Sequence, residues 1–179
     1  MYIKSFSMGM VTANCYIICD EETKLGAVVD PGDYNQQLEN EIILSGMKEL
    51  KYILLTHGHF DHISGVARLK EKHPQSRVVV GTADAPFLSD ENLCLSKFFH
   101  FKAYPCFADE TVNDGDIVAL SKKQLQVISD LRKESPLVTI RFVKRYVKEH
   151  LNEDLSLSQI SDVTGYNPTY LSRLFKEQT

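Results

Sequence analysis

The stretch Thr56-His57-Gly58-His59-Phe60-Asp61-His62 sets three histidines and an aspartate between positions 57 and 62, and no other part of the chain constrains the fold as tightly. In front of it, Lys51-Tyr52-Ile53-Leu54-Leu55 is a short apolar run bounded by polar residues, the pattern of a buried strand. Behind it, Ile63, Val66, Ala67 and Leu69 recur close to helical spacing. The polar cluster is therefore expected on a strand-to-helix turn at the carboxyl end of a strand, where open α/β sheets place their sites. Neutral imidazole and carboxylate suit a borderline cation such as zinc. His57 and His59 alternate, so both are expected on one side of an extended backbone. Asp61 and His62 follow the bend and are expected at a second, adjacent position. Gly58 lets the backbone pass close to the ligands. Two metals so placed would share one water and make hydroxide near neutral pH. Four ligand-type residues in this order after an apolar strand outweigh the reading of an incidental polar turn.

The rest of the N-terminal part reads as a sheet with helical crossovers. Tyr2 to Phe6, Cys15 to Cys19 and Leu25 to Val29 are expected as three strands of a meander, ended by Pro31-Gly32-Asp33. Residues 37 to 44 carry Leu38, Ile42 and Leu44 at the spacing of a weakly amphipathic helix. The helix after the histidine turn is expected to stop near His73-Pro74, because proline disfavours helix in the residue before it. Arg77 to Val80 reads as a strand. Residues 83 to 101, rich in aromatics, read as irregular helix whose rings form core or a pocket wall. Ile117 to Leu120 and Leu125 to Ile128 read as a hairpin turning at Ser121-Lys122-Lys123.

The histidine turn resembles the His-x-His-x-Asp-His signature of the metallo-β-lactamase fold. Asn14-Cys15-Tyr16-Ile17-Ile18, Ala27-Val28-Val29-Asp30-Pro31-Gly32, Tyr52-Ile53-Leu54-Leu55-Thr56-His57 and Asn113-Asp114-Gly115-Asp116 resemble its glyoxalase II-like branch, in that family's order, over about residues 1–128. The resemblance implies an α/β fold of αββα layers, present as about its N-terminal half. It implies a hydrolase acting on a thioester or ester through metal-bound hydroxide, with one or two zinc ions. His57 and His59 would hold one ion, Asp61 and His62 the other, with Asp61 as the catalytic group orienting the hydroxide and Asp30 at the site's edge. Beyond Ile128 the pattern stops. Ser129-Asp130-Leu131-Arg132-Lys133-Glu134-Ser135-Pro136 stands where the family carries a His-Thr-Pro-Gly-His segment. The other histidines, His73, His100 and His150, stand in no matching motif. The first metal would then have two protein ligands where a catalytic zinc usually has three, which implies weak binding and impaired activity.

After Pro136 the pattern turns helical. Ile140, Val143, Val147 and Leu151 fall three or four apart, Ser156 suits an N-cap, Gly165 suits a helix end, and Asn167-Pro168 suits the start of a third helix. Two helices joined by a short glycine-containing turn signal a helix-turn-helix. Residues 154–160 and 170–176 resemble the first helix-turn-helix of AraC/XylS-type transcription regulators, over about residues 140–179. By that resemblance Thr169, Ser172 and Arg173 would face base edges of double-stranded DNA, Arg173 suiting guanine, and Lys176 would touch phosphate. The alternative is a small helical cap with Arg173 and Lys176 on a solvated face. The organisation expected is a metallo-β-lactamase-like domain over 1–128, a junction over 129–136, and a partial helix-turn-helix module over 137–179. An inactive chimera of two truncated modules is the third reading.

Charge limits these alternatives without choosing among them. Residues 1–128 carry 12 Lys and Arg against 17 Asp and Glu, which argues against a nucleic-acid surface there. Residues 129–179 carry 8 against 7. No apolar run has the length of a membrane span, and the N-terminus lacks the pattern of a signal peptide. Cys15 and Cys19 lie in an apolar strand and read as core thiols. A cytoplasmic protein is the expectation.

Overall fold

The structure, a computed structural model, describes residues 1–126 apart from Met10, Ala103 and Lys123, together with Ser156 and Ser172. The chain divides into two compact units, Met1–Arg132 and Lys133–Thr179. In the first, a mixed sheet carries six strands in the order β1-β2-β3-β4-β5-β6: Tyr2–Met8, Ala13–Cys19, Leu25–Val29, Glu49–Leu55, Arg77–Gly81 and Glu110–Val112. The first three form an antiparallel meander; β3 to β6 run parallel. Antiparallel neighbours need only turns, whereas parallel ones need crossovers. These are α1 (Gln36–Leu44) between β3 and β4, and α2 (Phe60–Ile63) with α3 (Val66–Lys72) between β4 and β5.

Side-chain alternation explains the strands. In β2, Cys15, Ile17 and Cys19 are fully buried, while Asn14 and Tyr16 face out, the period of two that a half-covered sheet requires. The parallel strands are buried on both faces, as crossover-covered strands are. One face packs Ala27, Tyr52 and Val79 against Val118 and Leu120 of a hairpin, β7 (Ile117–Ala119) and β8 (Gln124–Gln126). Lys51 Nζ fastens that hairpin by donating to the carbonyls of Ala119 at 2.7 Å and Leu120 at 3.0 Å. The other face presents Val28, Ile53, Val78 and Val80, all buried. Right-handed crossovers bring α1 and α3 to a common face of the sheet, and both helices bury apolar residues, Leu38 and Ile42 in α1, Val66 and Leu69 in α3.

Three differences from the sequence expectation have local causes. The helix after the histidine turn is two pieces, because the Gly65 N–H donates to the Pro31 carbonyl at 2.8 Å. Residues 83 to 101 are not a long helix but a short 3-10 helix, Ala85–Leu88, followed by turns. Asp90 Oδ1 there accepts from the Asn92 and Leu93 N–H groups at 2.8 and 3.1 Å, competing with helical bonding, and Leu95 and His100 take positive φ. Strand β6 was not anticipated, since its three residues hold a single strongly apolar side chain. The hairpin is present up to Gln126, and Val127 and Ile128 lie outside the described residues.

Candidate functional site

Strand β4 ends at Leu55, and the next residues turn out of the sheet. Thr56 fixes the exit: its N–H donates to Asp30 Oδ1 at 2.8 Å and its hydroxyl to Asp30 Oδ2 at 2.6 Å. Asp30 follows β3 in the neighbouring position, 3% exposed, with φ of 51°. That left-handed backbone is tolerated by Asp better than by most residues. Two parallel strand ends are thus tied together through one carboxylate, which is why the turn begins at a defined point.

The four motif residues gather beyond this tie. His57 is buried, His59 half-buried and extended at the start of α2, and Asp61 and His62 lie within α2. The His57 ring centre lies 4.9 Å from that of His59 and 4.0 Å from that of His62. The His57 ring therefore sits closer to that of His62 than to that of His59. His57 Nδ1 is 3.1 Å from the Thr56 hydroxyl. His62 reaches two carboxylates, Nδ1 at 3.0 Å from Asp30 Oδ2 and Nε2 at 3.5 Å from Asp61 Oδ2. Asp30, expected at the site's edge, is in contact with a motif histidine. The N-terminus of α2 is held from outside by the Phe60 N–H, which donates to the Cys94 carbonyl at 2.9 Å. Phe60 itself is buried against Phe99 and Phe101, with ring centres 5.0 and 5.4 Å away.

Gly58 occupies a close approach. A Cβ at this position would lie 2.3 Å from Phe87 Cβ and 3.0 Å from the Asp84 carbonyl. The Gly58 N–H donates to Asp84 Oδ1 at 3.3 Å, and the Phe87 ring stands 6.0 Å from that of His59. Sequence reading passed over Asp84 and took Phe87 only as one of the aromatics of a core or pocket wall. A lone carboxylate and a lone aromatic three apart carry no motif, and only the fold brings them to the turn.

In chemistry the donor set suits zinc or iron: imidazole nitrogens and carboxylate oxygens at one strand end. Among the described residues, no group of three or more His, Cys, Asp or Glu side chains is arranged to hold a metal ion. His73 is half-buried at the end of α3 and His100 is exposed, and His150 lies outside the described residues. Of the residues expected to read DNA, Thr169, Arg173 and Lys176 lie outside the described residues, while Ser172 is helical and half-buried. No helix among the described residues is long and apolar enough to cross a membrane. The four cysteines are free and buried. Burial, with the Asp30 charge nearby, pushes the Cys15 thiol far above its ordinary range. Burial and the neighbouring Cys94 push Cys106 up to about 12.

Comparison with known proteins gives the same lineage. A hydroxyacylglutathione hydrolase of Pelagibacter ubique is 31% identical over 125 residues, covering 56% of this chain and 49% of that protein. Among solved structures, the BLEG-1 B3 metallo-beta-lactamase superposes with a TM-score of 0.61 at 23% identity, covering 70% of this chain and 59% of that one, a likeness of fold. TTHA1623 in a di-iron-bound form superposes with a TM-score of 0.55 at 26% identity, covering 64% and 56%. The chain spans about half the length of the relatives it matches. Residues 8–140 match the family described as the metallo-beta-lactamase superfamily. With that match over most of its length, and with the family's histidine turn at the end of β4, the chain belongs to the metallo-beta-lactamase superfamily.

Proposed function

We propose that this chain carries the N-terminal half of a metal-dependent hydrolase site of the glyoxalase II-like kind, acting on a thioester or ester. The observation that carries the reading is the gathering of His57, His59, Asp61 and His62 at the end of β4, within a matched family segment. These four are the proposed donor set for zinc or iron. Relatives with hydroxyacylglutathione hydrolase activity support the substrate class. Asp61, buried beside His62, has the acceptor oxygens needed to orient a water for attack on a carbonyl. Because Ser129 to Pro136 stand where the family carries a further histidine segment, binding is expected to be weak and turnover low. Four buried free thiols fit a reducing, cytoplasmic setting.

The test is zinc and iron titration by calorimetry, combined with turnover of an activated thioester. Weak binding that is lost in His57→Ala and His62→Ala supports the reading. Tight binding of two ions overturns the expectation of an incomplete shell. Absence of both binding and turnover overturns the hydrolase reading.

A second reading concerns the C-terminal unit. Residues 141–179 lie beyond the family match, and the chain divides at Arg132 and Lys133. We propose that this segment is an AraC-type helix-turn-helix binding double-stranded DNA through Thr169, Ser172, Arg173 and Lys176. A single such unit makes few phosphate contacts, so Kd is expected above roughly 10⁻⁶ M at physiological salt. Fluorescence anisotropy with wild type and Arg173→Ala decides it; indistinguishable titrations leave the segment without a base-reading role.

A further inference from the structure

Two residues beyond the motif touch Gly58, the one residue that separates His57 from His59. Asp84 is 7% exposed and heads the 3-10 helix Ala85–Leu88. Its Oδ1 accepts the Gly58 N–H at 3.3 Å, and its carbonyl accepts the Phe87 N–H at 3.0 Å. The helix it heads lays Phe87 against Gly58 so closely that a Cβ could not be added there. Asp84 is itself held, its N–H donating to the Gly81 carbonyl at 2.9 Å at the end of β5. A continuous line therefore runs from the end of β5, through the Asp84 carboxylate, to the backbone of the histidine turn at the end of β4.

We infer that Asp84 is a positioning residue that fixes the peptide between His57 and His59 and thereby the separation of their two rings. A glycine peptide would otherwise have more backbone freedom than any other. The turn needs an external acceptor, since Gly58 is buried outside any strand or helix and a buried backbone N–H must find a partner. Asp84 supplies that acceptor from just past the end of β5, so the two histidines keep the relation set by the sheet. Groups that orient metal-ligand residues characteristically alter affinity by 10–100-fold when removed. The functional weight of this inference rests on the metal-site reading above, whereas the positioning contact can be measured without metal.

The experiment uses the whole chain and two variants, Asp84→Ala and Asp84→Asn. Hydrogen exchange at the Gly58 amide is followed by NMR without metal, with the core amides of Ile53 and Val79 as a measure of global folding. In the wild type, Gly58 is expected to exchange at least about tenfold more slowly than the open turn amide of Gly115. Asp84→Ala is expected to speed Gly58 exchange about tenfold or more while Ile53 and Val79 stay protected. Asp84→Asn, which keeps an acceptor oxygen, is expected to restore slow exchange. Gly58 exchange in the wild type as fast as that of Gly115 overturns the inference even if Asp84→Ala fails to fold. Unchanged exchange in Asp84→Ala, or equal acceleration in both variants, overturns it too. Zinc titration separates this from the site reading. Affinity about tenfold weaker in Asp84→Ala and near wild type in Asp84→Asn supports the positioning role. Equal affinity in all three proteins overturns it. A wild type that binds no zinc refutes the metal reading, and the amide exchange then decides the positioning contact alone.

Discussion

Replacing Gly32 with alanine is expected to destabilise the N-terminal unit by about 2–3 kcal/mol, the upper part of the range for overpacking a close contact. The magnitude follows from what the added methyl meets. Its Cβ would stand 1.9 Å from the Asp61 carbonyl oxygen and 3.1 Å from the Asp61 carbonyl carbon. Ordinary van der Waals contact lies at 3.4–4 Å, so one backbone segment must retreat by more than about 1 Å. Neither segment retreats easily. The Gly32 N–H is bonded to the Asp30 carbonyl at 2.8 Å, and α2 is held at its start by Phe60 and just past its end by Gly65. Gly26→Ala is the control. There the methyl would meet Met47 at 2.0 Å from Cε and 2.5 Å from Sδ, the far end of a flexible side chain that can swing aside. A cost under about 1 kcal/mol is expected at Gly26. For a chain of this length, 2–3 kcal/mol corresponds to a fall in Tm of about 5–10 °C. Paired urea and thermal denaturation of the two variants reads the difference. A Gly32→Ala protein as stable as wild type, or a Gly26→Ala protein damaged equally, would refute the argument from backbone contact.

Three further outcomes are expected. Asp30→Ala removes the acceptor of both Thr56 donors and is expected to cost about 1–3 kcal/mol; Asp30→Asn keeps an acceptor oxygen and should recover part of that in urea melts. At pH 8 the four thiols should react with a disulfide reagent at least about a hundredfold more slowly in the native protein than in urea, since Cys15 and Cys106 are held protonated by burial. Burial pushes the Asp109 carboxyl up, but hydrogen bonds from Lys70 and the Val78 N–H, with the Lys70 and Arg77 charges, outweigh it and hold the group below its ordinary range. Its stabilising contribution is then fully present above about pH 3.9 and is lost as pH falls through the lower folded value. Because the pair is partly exposed, at most about 1 kcal/mol is expected; the gap in urea midpoint between wild type and Asp109→Ala should be present at pH 7 and close at low pH.

The histidine turn was legible because its ligand types are dense and follow an apolar strand, two signals that do not depend on distant contacts. The same holds for β2, whose Cys15, Tyr16, Ile17, Ile18 and Cys19 form an unbroken apolar run. Residues 83–101 misled because aromatics at near-helical spacing look amphipathic. Their burial is instead organised by turns, Asp90 capturing two N–H groups and Leu95 and His100 taking positive φ. The contact of His62 with the Asp30 carboxylate was not legible, because it joins residues 32 positions apart across two strand ends. Asp84 escaped notice for the same reason, since its partner lies on the neighbouring strand's exit.

The sheet order β1-β2-β3-β4-β5-β6 repeats the order of the chain without a single transposition. Among the described residues, each strand of this sheet therefore docks on the one completed just before it, and none waits for a later one to be inserted beside it. A ribosome delivers such a sheet in assembly order, so the growing edge always belongs to the newest strand. Pairing between consecutive strands keeps loop-closure entropy low, and domains fold from the N-terminal end as they are made. The tie between Asp30 and Thr56 can close as soon as β4 emerges, before α3 exists. The histidine turn is then born onto an anchored strand end, with its final clamp at Asp84 arriving one strand later.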